Sequence, residues 1–361
     1  MTGRVVVAMS GGVDSSVAAL LLKERGLEVI GLFMGTGVQA ADAERRSKTC
    51  CSAADAEDAR AVADRLDIPF YALDFSADFA RIMDDFADEY LAGRTPNPCV
   101  RCNVWLKFGR LWAYGRSAGA DQVATGHYAR TRPGPDGRPL LARGADPGKD
   151  QTYVLAGLKR EVLDHVLLPI GDYTKAEIRA LAREAGLPVH DKPDSQEVCF
   201  IPDDDHVRFV RERRPGQESP GAIVDEETGA AVGHHSGVEA FTIGQRRGLG
   251  VALGSPRFVL DIDSGTNVVT IGPRESLDRP GLIADRFHWQ APEPAGPIDC
   301  LAQIRARHRA VPATAEPLGG GRVQVRFAEP QAAVTPGQVV ALYSDDLLLG
   351  GGWIDRALAT D

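Results

Sequence analysis

From Arg4 to about Thr125, short apolar runs alternate with stretches whose apolar residues recur at helical spacing. The pattern predicts strands at Arg4–Met9, Glu28–Met34, Phe70–Asp74 and Gln122–Thr125, and helices at Asp14–Arg25, Ala53–Leu66 and Ala77–Leu91, with a further helix from Asn103. Such alternation builds a parallel sheet covered by helices on both faces, and its ligands sit beyond the carboxyl ends of the strands. Met9-Ser10, Met34-Gly35 and Thr125-Gly126-His127 all fall at such ends and are expected to line one crevice. Arg130 to Lys149 reads as loop, with a tight turn at Pro133–Gly137, and helical character returns from Gln151. At Thr174–Ala185, Thr174 followed by Glu177 forms a capping box, and Gly186 closes the helix. Beyond Pro202 the chain turns to short β-like runs: a hairpin at Phe258–Ile262 and Asn267–Ile271, then alternating strands at Ala302–Arg307, Val323–Phe327 and Val339–Tyr343 that suggest a small barrel. The expected division is 1–202 as an α/β domain, 203–279 as a small β-rich central domain and 280–361 as a β-barrel.

The first strand runs into Ser10-Gly11-Gly12-Val13-Asp14-Ser15-Ser16. Two glycines let the backbone approach an anion closely, three hydroxyls add donors, and the helix N-terminus favours negative charge. This is a phosphate cradle. It has no Gly-Lys-Ser/Thr and so is not a Walker A loop; it resembles the PP-loop of N-type ATP pyrophosphatases, which hold the pyrophosphate end of ATP and transfer adenylate. A doubly wound, adenine nucleotide alpha hydrolase-like sheet is the fold this implies.

Composition narrows the setting more than the chemistry. With 361 residues, two or three domains are expected; at 43% hydrophobic and 25% charged residues the chain reads as globular, with no membrane span or signal peptide, and a cytoplasmic protein is expected. Six cysteines are too sparse for a disulfide scaffold. A net charge of −9 excludes a uniformly basic surface but not a local basic face, such as Arg211–Arg214, Arg246-Arg247 or Arg305–Arg309. The run at Arg211–Arg214 reads first as a solvated charge run.

Cys99-Val100-Arg101-Cys102 follows Thr95-Pro96-Asn97-Pro98, whose prolines are expected to leave a loop before the helix at Asn103. A thiol at that helix start, beside Arg101 and near Lys107, has its thiolate favoured, which makes Cys102 a candidate nucleophile. By spacing alone the pair fits a metal site or two packed thiols equally well. A third thiol, Cys199, stands in Asp194-Ser195-Gln196-Glu197-Val198-Cys199-Phe200-Ile201. Together with Gly126-His127-Tyr128, Lys149-Asp150-Gln151 and Phe241–Gly248, these motifs occur in an order that resembles bacterial tRNA-specific 2-thiouridylases along essentially the whole chain.

That resemblance implies conversion of the wobble uridine of the tRNAs for lysine, glutamate and glutamine to 2-thiouridine. ATP would adenylate the C2 oxygen, with Mg²⁺ neutralising its phosphates, and sulfur would arrive from a donor protein as a persulfide on Cys199. Cys102 would release it and end in a disulfide with Cys199. Carried over by motif, Ala8, Met9, Ser10, Gly11, Gly12, Val13, Asp14 and Ser15 surround the ATP, with Met34 and Gly126 near the adenine or ribose. Asn97, Pro98 and Cys99 face the target base, and His127, Lys149, Asp150, Gln151, Arg307, His308 and Gln338 contact tRNA. A monomer is expected.

The chain departs from the family's pattern at Cys99, where many members carry an aspartate. A thiol does not inherit an acid–base role simply, its ordinary pKa being about 8.5 against about 3.9. Cys99, Cys102 and Cys199 could instead hold a [4Fe-4S] cluster with one open iron. Two other classes share parts of the pattern: an amidotransferring ATP pyrophosphatase, which needs neither Cys102 nor Cys199, and a non-enzymatic RNA-binding protein with a structural zinc. Three more features read as structural: Cys50-Cys51 as incidental, Trp105 and Trp112 as core, and Cys300 as a small buried hydrophobe.

Overall fold

The computed structural model describes residues 3–38, 52–194, 198–201 and 203–359; the pair Cys50-Cys51 lies outside them. Strands β1 (Arg4–Ala8), β2 (Glu28–Gly35), β3 (Phe70–Asp74) and β4 (Gln122–Ala124) join the short β7 (Val166–Leu167) in a parallel sheet ordered β3-β2-β1-β4-β7. Helices α1 (Val13–Glu24), α2 (Ala53–Arg65) and α7 (Lys175–Glu184) lie on one face, and α3 (Ser76–Leu91) on the other. The pleat sends Val5, Val7 and Met9 into one core and Val6 and Ala8 into the other, which is why β1 is apolar at every position between Val5 and Met9. The expected capping box at Thr174 is present, its hydroxyl accepting from the Glu177 amide.

The second half of the domain departs from expectation in three places. First, the helix expected from Asn103 begins five residues earlier: α4 (Pro98–Arg101) runs without interruption into a π-type stretch, Cys102–Leu111, and α5 (Trp112–Ser117). Pro98 sits at the first helical position, where a missing N–H costs nothing, and Asn97 caps the helix by accepting from the Val100 amide. Second, the i→i+5 stretch slips the helical period, so Trp112 is buried while Trp105, seven positions earlier, is only half-buried, with Arg81 stacked 4.2 Å over its ring. Third, the segment expected as loop forms a hairpin, β5 (Ala129–Pro133) and β6 (Pro139–Arg143), while the helix expected from Gln151 is a single tight turn at Thr152–Leu155 followed by α6 (Arg160–Leu163).

After α8 (His206–Arg213), the central domain pairs β8 (Gly221–Asp225), β9 (Ala231–His235), β10 (Phe258–Asp263) and β11 (Val268–Gly272) in the order β10-β11-β8-β9; the expected hairpin is β10–β11. The C-terminal strands β12 (Asp278–Trp289), β13 (Ile298–Gln303), β14 (Val311–Gly319), β15 (Arg322–Ala332), β16 (Val339–Ser344) and β17 (Leu347–Ala357) are antiparallel, and β12 pairs with both β15 and β17. That double pairing closes a six-stranded barrel. The strand expected to reach Arg307 stops at Gln303, whose side-chain amide donates to the Arg305 and Ala306 carbonyls and turns the chain there.

The first domain and the barrel share one hydrophobic cluster, while the central domain has its own. Hairpin β5–β6 pairs with the start of β17 at Leu347, and Val339, Ala341, Tyr343 and Trp353 of the barrel pack with Val100, Leu106 and Tyr153 of the first domain. Arg101 lies across this seam, bonded to Asp85 at 3.0 Å and stacked 4.3 Å over Trp353. The run Arg211–Arg214 is likewise spent internally: Arg211 pairs with Glu239, Arg213 with Asp84, and Arg214 with Asp84 and Asp88 of α3. Arg246, Arg247, Arg305 and Arg309 stay exposed. Cys300 is half-buried, and burial pushes its thiol up to about 12. Among the described residues no helix is long and apolar enough to cross a membrane.

Candidate active site

The carboxyl ends of β1, β2 and β4 open into a cavity of about 600 Å³, within the range of small-molecule sites. Its floor is the Gly-Gly loop after β1: Ala8, Met9, Ser10, Gly12, Val13, Asp14 and Ser15 line it, with Met34 and Gly126 from the neighbouring strand ends. Gly11 adopts a φ of +73° and turns beneath the loop, where a Cβ would collide with the Asp55 carbonyl; it shapes the turn without reaching the cavity. Ser15 Oγ ties the loop together, accepting from the Ser10 amide at 3.2 Å and donating to the Gly12 carbonyl at 3.2 Å. Gly126 is required by close approach, since a Cβ there would stand 2.5 Å from the Ser15 nitrogen.

Charge is arranged tightly around this floor. Lys175 donates to both oxygens of Asp14 (2.8 and 2.9 Å) and reaches Asp194 at 2.7 Å, where Lys149 (2.8 Å) and Arg179 (3.1 Å) converge. Burial works against the charge of Asp194, but hydrogen bonds from Lys149 and Lys175 outweigh it and hold the carboxyl below its ordinary range. Tyr128 donates to Asp14 at 2.7 Å; burial and then the Asp14 carboxylate raise its phenol, so it stays a donor. On the opposite side Lys192 bridges Asp55, Asp58 and the Gly11 carbonyl. Lys107 and Arg307 complete a cationic lining.

The thiols come to the same cavity by two routes. Pro98, Cys99, Cys102 and Asn103 enter from the helix that begins at Pro98, and Val198, Cys199 and Phe200 from the segment after Asp194. The barrel fixes the first: Gln338 donates to the Thr95 and Pro96 carbonyls at 2.9 and 3.3 Å, and the Thr95 amide donates to Pro336. An aromatic wedge fixes the second. Phe200, 6% exposed, meets Phe79, Phe86 and Phe209 with ring centroids 5.7, 5.2 and 5.0 Å away. Phe200→Ala is expected to cost about 3–4 kcal/mol of stability, read as a lowered urea midpoint, and to impair any reaction of Cys199 beyond the loss of folded protein.

Several sequence-predicted residues also hold the chain itself together. Asn97 caps α4, and Gln338 clamps the loop before it. Asp150 accepts from Arg143, the Gly144 amide and Thr152, which fixes the turn carrying Lys149 and Gln151. His308 bonds Gln331 and lies off the cavity wall. Arg101 is buried at the barrel seam rather than beside the cavity. His127 lines the cavity from a buried position 2.7 Å from Thr125 Oγ1, and burial, then Lys107, lower its pKa well below the usual histidine value, so it is neutral. As for a metal, no group of three or more His, Cys, Asp or Glu among the described residues is placed to hold a single ion, while Cys99, Cys102 and Cys199 line one cavity. Sequence reasoning missed Lys175, Lys192 and Asn103. Lys175 stands directly after a capping threonine, and only that cap signal was legible there.

Residues 3–203 match the family model described as tRNA methyl transferase HUP domain, 208–273 the tRNA methyl transferase PRC-barrel domain and 279–354 the aminomethyltransferase beta-barrel domain. With an α/β nucleotide-binding module followed by two β modules, the class is a three-part tRNA-modifying transferase. Curated relatives narrow it: the tRNA-specific 2-thiouridylase MnmA of Geotalea uraniireducens is 51% identical over 99% of this chain and 96% of its own, and that of Geobacter metallireducens 50% over 98% and 97%. The chain belongs to the tRNA-specific 2-thiouridylase family, and it is a tRNA sulfurtransferase. A solved 4-thiouridine synthetase–RNA complex with bound ATP overlaps 60% of this chain and 51% of its own at 15% identity and a TM-score of 0.37, too slight a likeness to bear on function.

Proposed function

We propose that the enzyme adenylates the C2 oxygen of a wobble uridine with ATP and displaces AMP with sulfur carried on Cys199. The observation that carries this reading is that Cys102 and Cys199 line the same cavity as the Ser10–Ser15 loop. A phosphate cradle alone suits many nucleotide enzymes, and a thiol pair alone suits redox chemistry; one cavity holding both suits activation followed by sulfur transfer. Buried Thr36 supports a ligand at the strand ends, because it lines the cavity and its Oγ1 has no partner among the described residues. Mg²⁺ is held by one or two carboxylates together with phosphate oxygens, and Asp14 in the loop fits that role; the ion would neutralise phosphate charge.

The sulfur step balances with two thiols. The outer sulfur of a Cys199 persulfide, loaded by a donor protein, attacks C2 and AMP leaves. The Cys102 thiolate then attacks Cys199 Sγ, freeing the thiolated tRNA and leaving a Cys102–Cys199 disulfide for an external thiol to reduce. Cys99 lines the same wall without a place in this sequence. The tRNAs are those for lysine, glutamate and glutamine. Their phosphates meet Lys149, Arg307 and the exposed Arg246, Arg247, Arg305 and Arg309, whereas Asp150 and Gln338 serve by holding the site's loops. An anticodon loop suits the cavity because its bases are already partly unstacked.

The test is AMP and pyrophosphate formation with and without tRNA. The expected result is stoichiometric release of both only when a tRNA with a wobble uridine is present. Release without tRNA points to an amidating pyrophosphatase, and release in neither case to a binding protein; each overturns the proposal.

A further inference from the structure

We propose that Asn103 selects uridine at the target position by accepting the base's N3–H through Oδ1. The inference rests on the reading of the cavity as a uridine 2-thiolation site. Asn103 is 1% exposed and lines the cavity. Its amide cannot turn freely, because Nδ2 donates to the Val154 carbonyl at 2.9 Å. That bond leaves Oδ1 as the amide's unused acceptor, buried and with no hydrogen-bond partner among the described residues. A buried carbonyl oxygen fixed in this way demands a donor from the ligand.

The helix says which part of the ligand that is. Cys99, Cys102 and Asn103 are spaced i, i+3 and i+4, so all three fall on one side of the helical segment, and all three line the cavity. The thiols deliver sulfur to C2 of the base. In uracil the atom bonded to C2 on the Watson–Crick edge is N3, which carries the ring's only N–H in a nucleoside. Cytosine has the same outline with a lone pair at N3, and that lone pair would face Oδ1. An acceptor beside the thiols therefore welcomes uracil and rejects cytosine, a discrimination that shape alone does not provide. The other orphaned atom of the cavity, Thr36 Oγ1, follows the end of β2 and belongs to the nucleotide side.

The experiment titrates anticodon stem-loop RNAs, identical except for uridine, N3-methyluridine or cytidine at the target position, against wild type and Asn103→Ser. Pyrophosphate release from the uridine RNA is measured in parallel, and each variant's thermal unfolding is checked. Wild type is expected to bind the uridine RNA about 10- to 100-fold more tightly, the usual cost of leaving one buried acceptor unpaired. Asn103→Ser should reduce that preference to about threefold or less, and N3-methylation, which removes the donor, should cost wild type about as much affinity as cytidine does. A folded Asn103→Ser that still prefers uridine as wild type does overturns the inference, as does wild type that binds the N3-methyluridine RNA as tightly as the uridine RNA. Either result with uridine-dependent pyrophosphate release intact leaves the thiolation reading standing. No such release from wild type removes both.

Discussion

Cys199→Ser is expected to lower tRNA thiolation by about 10⁴-fold or more, as loss of a nucleophile does in other covalent enzymes. A serine hydroxyl cannot store sulfur in an S–S bond, so no residual route through this side chain remains. The fold should survive. The change is a single-atom replacement at a half-buried position, and Phe200 pins the segment. The diagnostic is a split between the two halves of the reaction: pyrophosphate release with tRNA stays near the wild-type rate for the first turnover, while thiolated tRNA, detected by its retarded migration in a mercury-containing gel, disappears. Thiolation at more than about a tenth of the wild-type rate would remove Cys199 from the sulfur path.

The same experiment on Cys102 separates carrier from resolver. Without Cys102 the sulfur can still bond to C2, but the product stays tethered through a mixed disulfide that a small external thiol could cleave. The two thiols arrive on different elements with different anchors, Cys102 on a helix clamped to the barrel and Cys199 beside an aromatic wedge. The barrel thus reaches into the chemistry without lining most of the cavity.

What could be read from the chain follows what is local. The strand, Gly-Gly turn and hydroxyl-rich helix start at Val5–Ser16 are specified within a dozen residues, and so is the Thr174 cap. The β5–β6 hairpin was not legible, because its arginine- and proline-bearing strands gain their partner from the barrel: Arg130 pairs with Asp346, 216 positions away. Pro98 misled for a related reason, since proline both ends and begins helices and only the Asn97 cap decides which. Gln338 and Asp150 read in sequence only as polar groups for RNA, whereas the structure gives them work within the chain as well: Gln338 donates to the Thr95 and Pro96 carbonyls, and Asp150 accepts from Arg143, the Gly144 amide and Thr152. The use of a polar side chain is a tertiary property, and a motif reports only its address.

Asp14→Ala is expected to reduce tRNA-dependent pyrophosphate release by about 10²–10³-fold, the usual cost of removing one preorganised electrostatic group. Asp14 stands in the first turn of α1 and carries two bonds from Lys175 and one from Tyr128. It therefore aims the ammonium of Lys175 at the loop, and it is the loop carboxylate that fits a phosphate-bound divalent ion. Without it, Lys175 keeps its pair with Asp194 and its place over the Tyr128 ring but loses its anchor on the loop. Stability should hardly change, because Asp14 is about a third exposed and partly solvated pairs contribute at most about 1 kcal/mol. Asp14→Asn sharpens the reading: it keeps an acceptor for Tyr128 but loses the charge that holds Lys175, so it should resemble alanine in pyrophosphate release. An asparagine variant at wild-type rate would mean that Asp14 acts only through Tyr128, and an alanine variant at wild-type rate would place the adenylating phosphate site elsewhere than this loop.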